Sequence, residues 1–152
     1  MSAWDVTILT YAAFPDLYPD DCALKLALEN RGLRVRSAVW DDPLVDWSTS
    51  TVTLFRSTWD YFEKPDAFMR FVDRADGVTQ LVNSAKLVRW NANKAYLLGL
   101  AAMGFPCVPT ELIKAGSPHS LAELCAARGW NDIVVKPAIS GASFLTRRFA
   151  AG

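Results

Sequence analysis

Residues 6–39 read VTILTYAAFPDLYPDDCALKLALENRGLRVRSAV, and the change of hydrophobic period within this stretch decides the fold. Val6 to Thr10 is a short apolar, β-branched run that stops at Tyr11-Ala12-Ala13-Phe14-Pro15, which reads as a strand followed by a loop. Asp20 or Asp21 then caps a helix in which Ala23, Leu24, Ala27 and Leu28 recur at helical spacing, and Gly32 stops it. Leu33 to Val39 follows as a second strand, with Val35 and Val39 among its apolar positions. Strand, capped helix and strand in this order predict a βαβ unit, with two parallel strands and a right-handed crossover.

Working outward, an acidic, turn-rich connection runs from Asp41-Asp42-Pro43 through Asp46-Trp47-Ser48 to a third strand, Thr51 to Phe55. It ends in Arg56-Ser57-Thr58-Trp59-Asp60-Tyr61. Ligands of open parallel sheets gather beyond the C-terminal ends of the strands, so this loop mixing Arg, Trp, Asp and Tyr is a candidate substrate surface. The competing reading places Trp59 and Tyr61 in a domain interface and pairs Arg56 with Asp60. Pro65-Asp66 opens a helix with Phe68, Phe71, Val72 and Ala75 on one face, ended by Gly77. Thr79 to Val82 is the fourth strand. The first domain is set at residues 1–83, and residues 84–152 form the second.

In the second part, Lys86 to Trp90 reads as a short helical turn. Asn91 or Asn93 caps a helix through Met103, with Leu97, Leu98, Leu100 and Ala101 apolar and Gly104 at its end. Lys94 falls in its first turn, where the helix dipole disfavours a cation. A bound anion would resolve that conflict; a solvated surface lysine would tolerate it at little cost. After Phe105-Pro106, Ser117-Pro118 opens a helix carrying Leu121, Leu124 and Cys125, closed by Gly129. Ile133-Val134-Val135 then reads as a buried strand that delivers Lys136 to a small-residue loop, Ser140-Gly141-Ala142-Ser143. A compact ammonium beside backbone N–H groups suits phosphoryl oxygens. The alternative is a lysine that marks the strand's exit into water. Phe144 to Phe149 returns as the antiparallel partner, with Arg147 and Arg148 in the second arm.

Composition narrows the functional classes. The chain has 152 residues and is 51% hydrophobic, enough for a real core. Sixteen basic residues balance sixteen acidic ones, and no basic run exceeds Arg147-Arg148, which argues against nucleic acid and against a polybasic membrane anchor. No apolar run is long enough to cross a bilayer and no basic leader opens the chain, so the expectation is a soluble, cytoplasmic protein. Cys22, Cys107 and Cys125 match no metal spacing, and His119 is the single histidine, which leaves no His triad or zinc cage.

Taken together, Phe14-Pro15-Asp16 with Asp20-Asp21, Arg56-Ser57-Thr58-Trp59-Asp60-Tyr61, Asn83, Trp90-Asn91-Ala92-Asn93-Lys94, Pro109-Thr110 and Val134-Val135-Lys136-Pro137 resemble the ATP-grasp superfamily. The similar branch is the bacterial carboxylate-amine ligases, which includes glutathione-synthetase-like and cycloserine-biosynthesis enzymes. Neither GxxxxGK[ST] nor GxGxxG, the two commonest competing nucleotide signatures, is present. The resemblance implies an α/β, Rossmann-like pre-ATP-grasp domain followed by the first, α+β lobe of the nucleotide clamp. It makes Lys94 and Lys136 the phosphate-contacting lysines, and Ser140, Gly141, Ala142 and Ser143 the mobile loop that covers ATP. Arg56, Trp59 and Asp60 would face a small carboxylate substrate, activated as an acyl phosphate by ATP and Mg²⁺.

In such enzymes the second lobe and the acidic magnesium ligands lie downstream of this loop, whereas the last carboxylate side chain here is Asp132. The expectation is therefore an N-terminal portion with no metal site of its own, inactive alone, and either self-associating or completed by a C-terminal chain. The alternative is a noncatalytic α/β ligand-binding or interaction module.

Overall fold

The computed structural model describes residues 2–118 and 120–150; His119 lies outside the described residues. The chain forms two compact units, Met1–Ala92 and Asn93–Gly152. In the first unit, β1 (Trp4–Thr10), β2 (Val35–Val39), β3 (Ser50–Phe55) and β4 (Gln80–Val82) make a sheet in the order β2-β1-β3-β4. All its pairings are parallel, with Val6 opposite Val35 and Leu9 opposite Phe55.

Side-chain alternation along β1 supplies both faces of the sheet. Ile8 joins Leu17 and Val35 in a cluster covered by Leu24 and Leu28 of α1 (Pro19–Glu29). Leu9, pointing the other way, joins Ala38, Trp40, Trp47 and Leu81 beneath α2 (Pro65–Asp76). The α2 stripe is the one its spacing predicts: Phe68, Phe71, Val72 and Ala75 are all buried. Trp40 meets Phe68 edge-on at 5.2 Å and Trp47 meets Phe71 in the same way at 5.0 Å, the edge-to-face geometry that aromatic quadrupoles favour.

Several local expectations give way to tertiary structure. Helix α1 begins at Pro19 with Tyr18 in the cap position, so neither Asp20 nor Asp21 caps it; both lie in its first turn, where acidic charge complements the dipole. The expected turn at Lys86–Trp90 is a longer helix, α3 (Ala85–Ala92), which buries Ala85 and Ala92. Asn91 is part of that helix rather than a cap for the next. Asn93 Oδ1 accepts from the Ala95 N–H at 2.9 Å, and α4 (Tyr96–Ala102) starts beyond it, with Lys94 before the first turn instead of within it.

In the second unit, α5 (Leu121–Arg128) ends at Gly129, whose φ of +66° is the left-handed geometry predicted for a stop. The strands β5 (Asp132–Val135) and β6 (Arg147–Ala150) pair antiparallel, as expected, and Arg148 grips Asp132 with two nitrogens. The reading of β5 as a buried strand is wrong: Val134 is 55% exposed. A two-stranded ribbon supplies only one neighbour per strand, so β-branched residues pair there without being enclosed.

Because Phe71 is fully enclosed and touches both tryptophans of the α2 face, Phe71→Ala is expected to cost about 3–5 kcal/mol. Urea denaturation followed by tryptophan emission measures it, and a loss below about 1 kcal/mol would contradict this packing.

Candidate functional site

The chain leaves β1 toward β2 on one side, then continues through β3 to β4 on the other, so the order reverses between β1 and β3. Beyond the carboxyl ends of those two strands lies the crevice in which open α/β sheets bind ligands. Arg56 and Ser57 emerge there directly after β3, and the Ser57 N–H donates to the Leu9 carbonyl at 3.2 Å.

Both residues close on Asp21, which is 2% exposed. Arg56 Nε donates to Asp21 Oδ1 at 2.7 Å, and Ser57 Oγ donates to Oδ2 at 2.5 Å. A buried carboxylate is costly unless its oxygens are met by donors, and here each has one. Arg56 therefore pairs with Asp21 and not with Asp60. Asp60 is occupied elsewhere: its Oδ1 accepts from Trp40 Nε1 at 2.7 Å, which ties the loop to the core. Trp59 lies with its ring 4.7 Å from Tyr18 and 6.1 Å from Tyr11, completing an aromatic group with Phe14. The loop after β3 is thus fastened to the start of α1 at two places, Arg56 and Ser57 to Asp21 and Trp59 to Tyr18. Of the three residues expected to face a substrate, Arg56 and Trp59 remain partly exposed, while Asp60 serves the core.

Ser57 has no role of its own in the sequence reading, and Asp21 is considered there only as a helix cap. The available signal was a second acid in the first turn of a helix that needs only one, with an Arg-Ser pair after an apolar strand. Near the ends of β3 and β4 a cavity of about 190 Å³ opens, lined among others by Phe55, Thr58, Tyr61, Asn83 and Asn91. Its amide pair comes from the turn after β4 and from α3, elements whose proximity no linear spacing announces.

The second unit carries the lysines. Lys94 Nζ donates to the carbonyl oxygen of Ser140 at 2.7 Å and to its hydroxyl at 2.8 Å, and the Lys94 N–H donates to the Ala138 carbonyl at 2.8 Å. The structure therefore joins Lys94 to the first residue of the small-residue loop. Burial, and then the like charge of Lys136, lower the Lys94 pKa below its ordinary 10.5. No carboxylate among the described residues pairs with either lysine. In the loop, Ala142, Ser143 and Leu145 take positive φ values of 46°, 59° and 50°. The N–H groups of Gly141, Ala142 and Ser143 donate to no acceptor among the described residues. Two cations and free amides make a surface that attracts an anion. No group of three or more His, Cys, Asp or Glu side chains among the described residues could hold a metal ion.

Two outcomes test this geometry. Ser57→Ala leaves one Asp21 oxygen without its donor and is expected to cost about 1–3 kcal/mol in urea denaturation, whereas a neutral result would detach Ser57 from Asp21. Removing the like charge with Lys136→Met is expected to raise the Lys94 pKa toward 10.5 without fully restoring it, since burial remains. Titration of the Lys94 side chain by heteronuclear NMR reads that shift, and a fall would contradict the assigned cause.

Residues 6–83 match the family model of the D-cycloserine synthetase DcsG N-terminal domain. The chain is 38% identical over 109 residues to the cycloserine biosynthesis protein DcsG of Streptomyces lavendulae, a match covering 70% of this chain and 36% of that protein. It superposes on the crystal structure of D-cycloserine synthetase DcsG with a TM-score of 0.82 and 32% identity, covering 95% of this chain and 50% of that one. It therefore spans half or less of the length of these relatives. No helix of the described residues is long and apolar enough to cross a membrane. With the matched model running from Val6 in β1 through β4 and with Arg56 and Asp21 inside it, the chain belongs to the family of the D-cycloserine synthetase DcsG N-terminal domain.

Proposed function

We propose that this chain is the nucleotide- and acceptor-binding part of an ATP-dependent carboxylate-amine ligase of the ATP-grasp type. The observation that carries the reading is the pair Lys94 and Lys136, close enough to act on each other electrostatically, unpaired by any described carboxylate and set against a loop with free N–H groups. Those groups fit the phosphates of ATP. Lys94 and Lys136 would neutralise phosphoryl charge, and the Ser140–Ser143 loop would cover it and exclude water from a labile acyl phosphate. Arg56 and Trp59 would meet the carboxylate acceptor in the first unit. Similarity to a D-cycloserine synthetase supports a synthetase chemistry for the whole protein to which such a part would belong.

In its present geometry Lys94 is committed to Ser140, so nucleotide binding would exchange that contact for a phosphate and move the loop. Isothermal titration of the chain with ATP is expected to show saturable binding that Lys136→Ala weakens by at least about tenfold, equivalent to about 1.4 kcal/mol. No binding to the parent chain, or equal binding to both, would defeat the reading.

A further inference from the structure

We propose that Arg56 is the anchor for a carboxylate group of the acceptor, gripped end-on by its two Nη groups, and that Asp21 is its positioning residue. This rests on the reading of the chain as part of a carboxylate-activating ligase. It assigns a specific ligand group and a positioning partner to one face of the guanidinium.

A guanidinium offers carboxylates a side edge containing Nε and an end formed by the two Nη groups. In Arg56 the side is used, since Nε donates to Asp21, while neither Nη group has an acceptor among the described residues. The end-on fork is the geometry that binds a planar carboxylate with two parallel hydrogen bonds. Asp21 holds the guanidinium firmly because it is itself immobile: it is buried, and Ser57 occupies its other oxygen. The side chain is therefore ordered before any ligand arrives, which removes part of the entropy cost of binding.

Three features of the surroundings set the ligand class. The fork lies beyond the carboxyl ends of β1 and β3, at the reversal of strand order. Asp21 counters the single positive charge of the guanidinium, yet it sits in the first turn of α1, where the positive end of the helix dipole partly offsets its own charge. Asp20 in the same turn is exposed and adds negative potential. A single carboxylate gains two charge-assisted bonds there, whereas a phosphate dianion meets more repulsion. Trp59, 43% exposed and supported by Tyr18, supplies an apolar wall for the body of the ligand.

The test uses the full chain with ¹⁵N-labelled arginine and tryptophan, with sodium chloride replaced stepwise by sodium acetate at constant ionic strength. The expected result is a saturable shift of the Arg56 Nη resonances together with the Trp59 indole signal. Arg56→Lys, which keeps the charge and loses the fork, is expected to abolish the indole response. Asp21→Asn is expected to weaken acetate binding roughly tenfold. An absent response, an indole response retained in Arg56→Lys, or inorganic phosphate binding as tightly as acetate would each overturn the assignment. No nucleotide is present, so failure here with ATP binding intact removes the anchor alone, and failure of ATP binding leaves an acetate response at Arg56 standing.

Discussion

An all-parallel sheet has no solvent-facing side to spare, and the first unit is arranged by that constraint. Ile8 and Leu9 are neighbours in sequence and belong to opposite clusters, one closed by α1 and the other by α2. Covering the second face takes the largest aromatic side chains of the unit, with Trp40 and Phe71 fully enclosed. Helices on opposite faces require the chain to proceed to both sides of β1. That reversal opens a crevice where β3 ends, and places Arg56 and Ser57 beside the start of α1.

The buried carboxylate of Asp21 shows how a local preference becomes a tertiary device. Acidic residues are favoured in the first turn of any helix, and Asp20 satisfies that rule at the surface. Asp21, one residue on, is rotated toward the sheet, where only donors from another element can meet its oxygens. The loop after β3 supplies both, and the same loop lends Asp60 to the buried indole of Trp40. One segment of six residues thus secures the core, the helix start and the rim of the crevice, which gives its exposed groups a rigid support.

The second unit follows a different economy of packing. Its helices bury no residue fully, and its two-stranded sheet leaves Val134, Val135 and Phe149 exposed. Order near the lysines comes from polar contacts instead. Lys94 holds both oxygens of Ser140, while three non-glycine residues further along the loop sit in the left-handed region, each at a cost of roughly 1–2 kcal/mol. A loop fastened by one ammonium and strained beyond it has a direct physical route to another conformation when an anion competes for that ammonium.

Periodicity was enough to read the parallel strands, the α2 stripe, the glycine stop of α5 and the β5–β6 pairing, because each reflects short-range sterics or the burial of one face. Local reasoning also marked Lys94 as a cation at odds with the helix dipole, and placed Lys136 and Arg56 at strand ends leading into loops. It fails where neighbours are remote in sequence: neither Asp20 nor Asp21 is the helix cap, and Val134 is not a core residue. Burial of a carboxylate depends on donors 35 residues away, and enclosure of a strand depends on how many neighbours flank it. The sequence by itself determined which segments form strands and helices and which cations lie near loops. Only the tertiary structure decided that Asp21 spends the side of Arg56 and leaves its end open, because hydrogen-bond satisfaction in a buried site is settled by three-dimensional neighbours and not by order along the chain.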